Sequence, residues 1–102
     1  MRLIDLKTLA QFWLKHRDAA RPLTKWYQTA KEATWQSLDE VRAVYPQADA
    51  VAVASGKTAT VFNIGGNKYR LITAIHYNTQ IIYLMMVLTH AEYDTGNWKK
   101  VL

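Results

Sequence analysis

The sequence predicts an α+β fold in which N-terminal helices pack on a small, mainly antiparallel β-sheet. Apolar residues recur with a helical period before Pro46 and alternate with polar ones after it. The second half is rich in Val, Ile, Thr and Tyr and is divided by short turns, which is typical of consecutive strands joined as hairpins. We therefore expect the helices first and an antiparallel meander after them.

Three helices are predicted in the first half. Asp5 can cap the first one, because apolar residues follow it at helical spacing. Pro22 suits the first turn of a second helix. Ser37 and Glu40 have the spacing of a capping box, which predicts a short third helix that ends before Pro46.

Four strands are predicted after the helices, over residues 50–54, 58–64, 68–77 and 80–88. Gly65 and Gly66 suit the positive φ angles of a tight turn, and Asn78 with Thr79 can form the next turn. These turns predict a register, in which the opposite residues are Arg70 and Val87, Lys68 and Thr89, His76 and Ile81, Tyr69 and Leu88, Leu71 and Met86, and Ile75 and Ile82.

The composition indicates one globular domain over residues 1–102. Half of the 102 residues are hydrophobic, and there are only four Gly and two Pro. The absence of Cys excludes a disulfide scaffold, a thiolate zinc site and a thiol nucleophile. The longest apolar run, residues 81–88, is far shorter than the ~20 residues of a membrane helix, and Asp5 and Lys7 interrupt any signal-peptide pattern. We therefore expect a cytoplasmic protein with no membrane association.

One face of the predicted sheet carries a group of polar and basic side chains. Arg70 lies in the middle of that face, where its guanidinium offers a rigid fork suited to a phosphate. A solvated sheet face is the alternative explanation, since antiparallel sheets often expose one side to water. The residues predicted on this face are Asn63, Lys68, Arg70, His76, Tyr83 and Thr89.

A second candidate region follows the last predicted strand. Thr89 and Glu92 have capping-box spacing, which predicts a short helix with His90 in its first turn. The amide dipoles there favour a bound anion and a neutral imidazole that is able to accept a proton. Tyr93 and Asp94 on the same turn can orient a ligand. The alternative explanation for His90 is an exposed surface histidine.

The rest of the sequence predicts no metal or cofactor site. Its net charge predicts an acidic partner. No group of His and carboxylate residues has metal-ligand spacing, and no Gly-rich loop precedes a helix. His16 lies between Lys15 and Arg17, so we expect it on an exposed basic helix face. Thirteen Lys and Arg against eight Asp and Glu give a net charge of +5, which favours nucleic acid first and an acidic protein second.

Two segments, FNIGGNKYRLI at residues 62–72 and LTHAEYD at residues 88–94, resemble the HigB family of toxins. The resemblance extends to MRLI at the start, to SLDEVRAVYP and to AEYDTGNWK. It implies a compact variant of the RelE-like toxin fold. It also implies an mRNA interferase, an endoribonuclease that cuts messenger RNA on the translating ribosome without a metal and is neutralised by a HigA-type antitoxin.

The resemblance also implies roles for individual residues. Lys68 and Arg70 match the basic strand residues of RelE-like toxins, where Arg70 would stabilise the transition state and Lys68 would hold the phosphate or assist proton transfer. His90 and Tyr93 match the C-terminal segment of these toxins and would act as acid or base. No carboxylate stands beside Arg70 as an obvious base. The residues expected to bind RNA without taking part in the chemistry are Asn67, His76 and Asp94.

The basic sheet face is also compatible with a different class of protein. A non-catalytic RNA-binding or protein-interaction module could use the same cations, and composition does not separate the two functions. They differ in what a single substitution does. An enzyme that loses a proton carrier keeps its RNA affinity and loses activity, whereas a binding module loses affinity with each cation.

Overall fold

The computed structural model describes residues 1–102, which form four α-helices and a five-stranded sheet. The predicted α+β fold with helices before the main strands is confirmed. Short 3₁₀ helices occur at Arg17–Ala19 and Asn97–Lys100. The elements in chain order are β1 (Arg2–Ile4), α1 (Lys7–Lys15), α2 (Ala20–Glu32), α3 (Leu38–Val44), β2 (Asp49–Ala52), β3 (Thr58–Ile64), β4 (Tyr69–His76), β5 (Ile81–Thr89) and α4 (His90–Asp94).

The sheet has the strand order β1-β5-β4-β3-β2. Strands β2 to β5 form the predicted antiparallel meander. The first strand was not predicted, because a segment of three residues is too short to show a period. It adds to the outer edge of β5 in parallel orientation, with Arg2 opposite Ile81, so the sheet is mainly but not wholly antiparallel.

The predicted register of β4 and β5 is correct at one end and wrong at the other. Ile75 lies opposite Ile82 as predicted, whereas Arg70 lies opposite Leu88 instead of Val87. A bulge between Ile72 and Thr73 shifts the pairing by one residue, and an extra residue in one strand exchanges the two faces beyond it. Val87 therefore enters the main core, while Leu88 and Met86 pack on the opposite face.

Helices α1 and α3 begin close to their predicted positions but without the predicted side-chain caps. Asp5 has a φ of 72° and accepts a backbone hydrogen bond from Thr8 through its carbonyl. Ser37 precedes α3 but makes no side-chain cap, and Glu40 Oε1 accepts from the Gln36 backbone N–H instead. The structure contains no helix of the length and hydropathy that a membrane crossing requires.

Apolar clusters cover both faces of the sheet. The larger cluster lies between the helices and the sheet and includes Leu9, Leu23, Trp26, Phe62 and Leu71. A smaller cluster on the other face joins Ala59, Val61 and Ile72 to Trp98 of the C-terminal 3₁₀ helix. The face predicted to be open and polar is therefore partly covered by the end of the chain.

Candidate active site

Arg70 lies near the start of β4, on the sheet face opposite the helices. It is only 8% exposed, so the predicted open position is wrong. The Tyr93 ring lies over the guanidinium with 5.3 Å between its centroid and Cζ. This cation–π contact explains the burial, because α4 returns across the end of the sheet and carries Tyr93 onto the arginine.

The guanidinium of Arg70 is oriented by hydrogen bonds but retains free donors. Nη1 donates to the carbonyl oxygens of Asn67 at 3.1 Å and Tyr69 at 3.2 Å, and Nη2 donates to Asn67 Oδ1 at 2.6 Å. Since a guanidinium has five N–H donors, these three bonds leave two donors without a protein acceptor. The fork is thus fixed in direction and still able to bind a phosphate.

Tyr93 is held as a neutral phenol. Burial raises the pKa of its hydroxyl, and the negative charges of Asp49 and Asp94 raise it further, while the Arg70 cation lowers it. The ring also stacks on Trp98, with 5.3 Å between centroids. A phenol fixed in this way can donate a hydrogen bond but does not act as a base near neutral pH.

The short helix α4 begins as predicted. Thr89 Oγ1 accepts from the Glu92 backbone N–H, and the Glu92 carboxylate accepts from the Thr89 backbone N–H, so the capping box is confirmed. His90, the first residue of the helix, donates its backbone N–H to the Lys68 carbonyl at 2.9 Å. This bond places the start of α4 beside the start of β4.

His90 and Asp94 form a pair across one turn of α4. Nδ1 of His90 lies 3.1 Å from Asp94 Oδ2, and the histidine side chain is 47% exposed. A carboxylate on Nδ1 places the proton there and leaves Nε2 as the acceptor. No third His, Asp or Glu side chain joins the two in a metal-binding group.

The Lys68 side chain binds a carboxylate, that of Asp18, which no sequence motif connects to it. Its Nζ donates to Asp18 Oδ2 at 2.5 Å, and the Tyr69 hydroxyl donates to the other oxygen of Asp18 at 2.5 Å. The bond from Lys68, followed by the bond from Tyr69, holds the pKa of Asp18 below its ordinary value. The Asp18 bond in turn raises the pKa of Lys68.

Six of the seven predicted site residues lie together at one end of the β4–β5 hairpin. Asn67 touches Arg70, and His90, Tyr93 and Asp94 reach this end through α4. His76 is the exception. It ends β4, six residues beyond Arg70 and so about 20 Å along the strand, where its ring meets Tyr83 edge-on with 5.1 Å between centroids.

Further polar residues that the sequence does not predict lie around this end of the sheet. Asn63, predicted on this face, lies opposite Arg70 on β3, and its Nδ2 donates to Gln47 Oε1 at 2.6 Å. Asp18, Gln47 and Asp49 are distant in sequence from the residues that they approach, and no motif connects them. Asn63 and Gln47 line a shallow pocket of about 260 Å³ together with Tyr45, Pro46, Ala48 and Gly66.

His16 is not the exposed histidine that the sequence predicts. It ends α1, and its ring stacks on Phe12 with 4.2 Å between centroids and meets the edge of Tyr69 at 5.6 Å. Its Nδ1 is buried without a hydrogen-bond partner. The ring lies inside because the chain turns at Arg17 into the 3₁₀ helix that carries Asp18 toward β4.

Known proteins are similar to this sequence over most of its length. It is 29% identical to the mRNA interferase toxin HigB of Escherichia coli strain K12 over 94 residues, which cover 92% of this chain and 88% of the relative. The mRNA interferase HigB of Shigella flexneri has the same identity and coverage, and that of Escherichia coli O6:H1 strain CFT073 is 26% identical over 94 residues. Residues 19–96 match the model of the HigB toxins, described as the RelE-like toxic component of a toxin–antitoxin system. Because this match includes most of the sequence, as well as the Arg70 and His90 region, the chain belongs to the HigB toxin family.

Proposed function

We propose that this chain is an endoribonuclease toxin, an mRNA interferase of a type II toxin–antitoxin system that cleaves messenger RNA on the translating ribosome without a metal. The observation that carries the proposal is the Arg70 guanidinium, which is fixed by Asn67 and Tyr93 and keeps two donors free. His90, with its Nδ1 on Asp94, lies at the same end of the sheet. The names of the relatives support the same activity.

The proposed reaction needs charge stabilisation and two proton transfers. The ribose 2′-oxygen attacks the adjacent phosphorus, and the bond from phosphorus to the 5′-oxygen breaks. The products are a 2′,3′-cyclic phosphate and a 5′-hydroxyl. A base accepts the proton of the 2′-hydroxyl, and an acid returns a proton to the 5′-oxygen. Cationic side chains can stabilise the negative charge that develops on the phosphorane.

The geometry supports a specific division of roles. Arg70 stabilises the phosphorane, and Lys68 holds the scissile phosphate as an ammonium. His90 is the better candidate for the base, since its Nδ1 faces Asp94 and its Nε2 has no protein partner. Tyr93, held as a phenol by burial, is suited to donate a proton or a hydrogen bond to the phosphate oxygens.

The remaining predicted RNA contacts are assigned by their position. Asn67 uses Oδ1 to hold Arg70, so its amide N–H groups are available for RNA. Asp94 acts through His90 by orienting the imidazole. His76 would meet RNA only where the strand extends about 20 Å from Arg70, a distance of several nucleotides.

The proposed partners follow from the family and from charge. A HigA-type antitoxin would neutralise the toxin, and mRNA and the ribosome would be its targets in the cytoplasm. The net charge of +5 supports association with RNA or with an acidic protein. The basic residues of the helical region that would meet ribosomal RNA or antitoxin are Lys7, Lys15, Arg17, Arg21, Lys25 and Lys31.

The decisive experiment is inducible expression in bacteria followed by primer extension on bulk mRNA. We expect growth arrest and new, discrete 5′ ends with the natural sequence, and neither with Lys68→Ala. Lys57→Ala is the matched control, because Lys57 is an exposed lysine in the turn between β2 and β3 and should be dispensable. Binding of RNA without new 5′ ends would instead identify a non-catalytic RNA-binding module.

A further inference from the structure

Three side chains from two distant parts of the chain form one hydrogen-bonded group beside the candidate active site. Asp18 comes from the 3₁₀ helix after α1, whereas Lys68 and Tyr69 lie 50 and 51 residues later at the start of β4. Each carboxylate oxygen of Asp18 accepts one of the two bonds. The group therefore connects the helical layer to the end of the sheet that carries Arg70.

The Lys68 side chain is mostly exposed, and Asp18 is its one charged partner. It follows the turn of Gly65 and Gly66, whose φ angles of 64° and 71° suit glycine. Its side chain is 66% exposed, and a flexible four-carbon stem loses conformational freedom when the ammonium is held in one place. Asp18 is the one carboxylate that the ammonium contacts, and this contact selects a single direction for the stem.

The carboxylate that holds Lys68 is itself fixed from the core. Tyr69 is buried, its ring meets Phe12 edge-on at 5.2 Å, and its hydroxyl reaches Asp18. An ammonium has three N–H donors and Asp18 takes one of them, so two remain for phosphate oxygens. Lys68 can therefore bind a phosphate without releasing Asp18.

We propose that Asp18 is a positioning residue for RNA cleavage, which holds the Lys68 ammonium where it binds the scissile phosphate. The inference rests on the proposed endoribonuclease function. It assigns Asp18 no contact with RNA and no proton transfer. Tyr69 supports the same position by fixing the second carboxylate oxygen.

The charges around this group favour one of the two roles considered for Lys68. The Asp18 hydrogen bond raises the pKa of Lys68 above its ordinary value of 10.5, so the side chain is an ammonium near neutral pH. Such a group binds a phosphate and does not act as a base. The other titratable groups that border it are Tyr69, His16 on the Tyr69 ring, Arg17 next to Asp18, and His90, whose backbone binds the Lys68 carbonyl.

The test compares Asp18→Asn, Asp18→Glu and a control, Asp39→Asn, in the full chain. Asp39 is exposed in the first turn of α3 and forms no ion pair. We expect Asp18→Asn to slow single-turnover cleavage of an RNA oligonucleotide roughly 10- to 100-fold, the scale of a misplaced catalytic group. Affinity for an uncleavable 2′-deoxy oligonucleotide should stay equal or increase, because a negative charge has been removed. Asp18→Glu should recover part of the rate.

A second measurement, the pKa of Lys68, reports on its contact with Asp18 without using activity. Titration of the Lys68 side chain by NMR should show a lower pKa in Asp18→Asn than in the natural sequence, and no change in Asp39→Asn. Natural cleavage rates in Asp18→Asn would overturn the inference and leave the proposed function intact. A lysine pKa unchanged by Asp18→Asn would also overturn it. Absence of cleavage by the natural chain would overturn the proposed function, while the titration would still report on the pair.

Discussion

His90 is the residue whose position most directly connects structure to catalysis. Its Nδ1 is paired with Asp94 and about half of its side chain is exposed, so the imidazole is accessible to a ligand. We expect His90→Gln to reduce cleavage by roughly 10²–10⁴, the usual contribution of general acid–base catalysis, with little change in RNA affinity. Single-turnover kinetics with a filter-binding assay tests this. A full rate in His90→Gln, with the loss found only in Tyr93→Phe, would reject His90 as the base and leave Tyr93, as a proton donor, with the acid–base contribution.

Arg70 is both a candidate catalytic residue and part of the fold. Its guanidinium is buried under Tyr93 and makes three hydrogen bonds, one buried and two partly buried, so its loss also leaves Asn67 Oδ1 without its donor. We expect Arg70→Ala to abolish cleavage and to lower the free energy of unfolding by about 1–3 kcal/mol. Urea unfolding monitored by tryptophan fluorescence measures the second effect. Unchanged stability would show that the guanidinium is exposed in solution.

Strands β4 and β5 separate the two layers of the core, and their register can be tested directly. Leu71 is fully buried against the helices, whereas Leu88 lies on the opposite, partly exposed face. We expect Leu71→Ala to cost about 2–5 kcal/mol of unfolding free energy, as is usual for a core leucine. Leu88→Ala serves as the control and should cost less. Equal losses would contradict the register that the bulge imposes.

The link between the 3₁₀ helix at Arg17–Ala19 and β4 predicts a pH window for stability. The pKa of Asp18 is lowered from 3.8, so its contribution is present above that pH and is lost as the pH falls through the lowered value. The pKa of Lys68 is raised from 10.5, so its contribution is complete below that pH and is lost above the raised value. We expect any stability difference between the natural chain and Asp18→Asn to be confined to this window. Urea unfolding across the pH range tests it, because the difference should be largest near pH 7 and shrink toward both acid and alkaline pH.

At the scale of the whole molecule, the number of cations that contact phosphates predicts how RNA affinity depends on salt concentration. If Lys68 and Arg70 alone contact phosphates, the slope of log affinity against log salt is about −1.4, and affinity falls roughly sevenfold between 50 and 200 mM salt. A steeper slope would show that cations of α1 and α2 also bind RNA. Fluorescence anisotropy with a short RNA measures the slope, and Lys57→Ala is a control outside both groups of cations.

Local sequence signals were sufficient to predict much of the architecture. The change of period near Pro46 correctly predicted helices followed by strands, and the predicted limits of β3 are those observed. The Thr89 and Glu92 pair correctly predicted the capping box of α4, and Gly65 and Gly66 the tight turn. These features depend on residues close together in the chain, because periodicity and backbone preference act over one or two turns.

Long-range packing decided the features that the sequence left open. The bulge at Ile72 and Thr73, which moved Val87 into the core, depends on how two strands fit between two layers. Burial of Arg70 required Tyr93 to fold back over the sheet. The contact of Asp18 with Lys68 joins residues 50 positions apart, and no spacing rule reaches that far. Residue types and short-range pattern thus specify the elements and most of the candidate site, whereas the direction and charge environment of its side chains depend on contacts that exist only after the layers have packed.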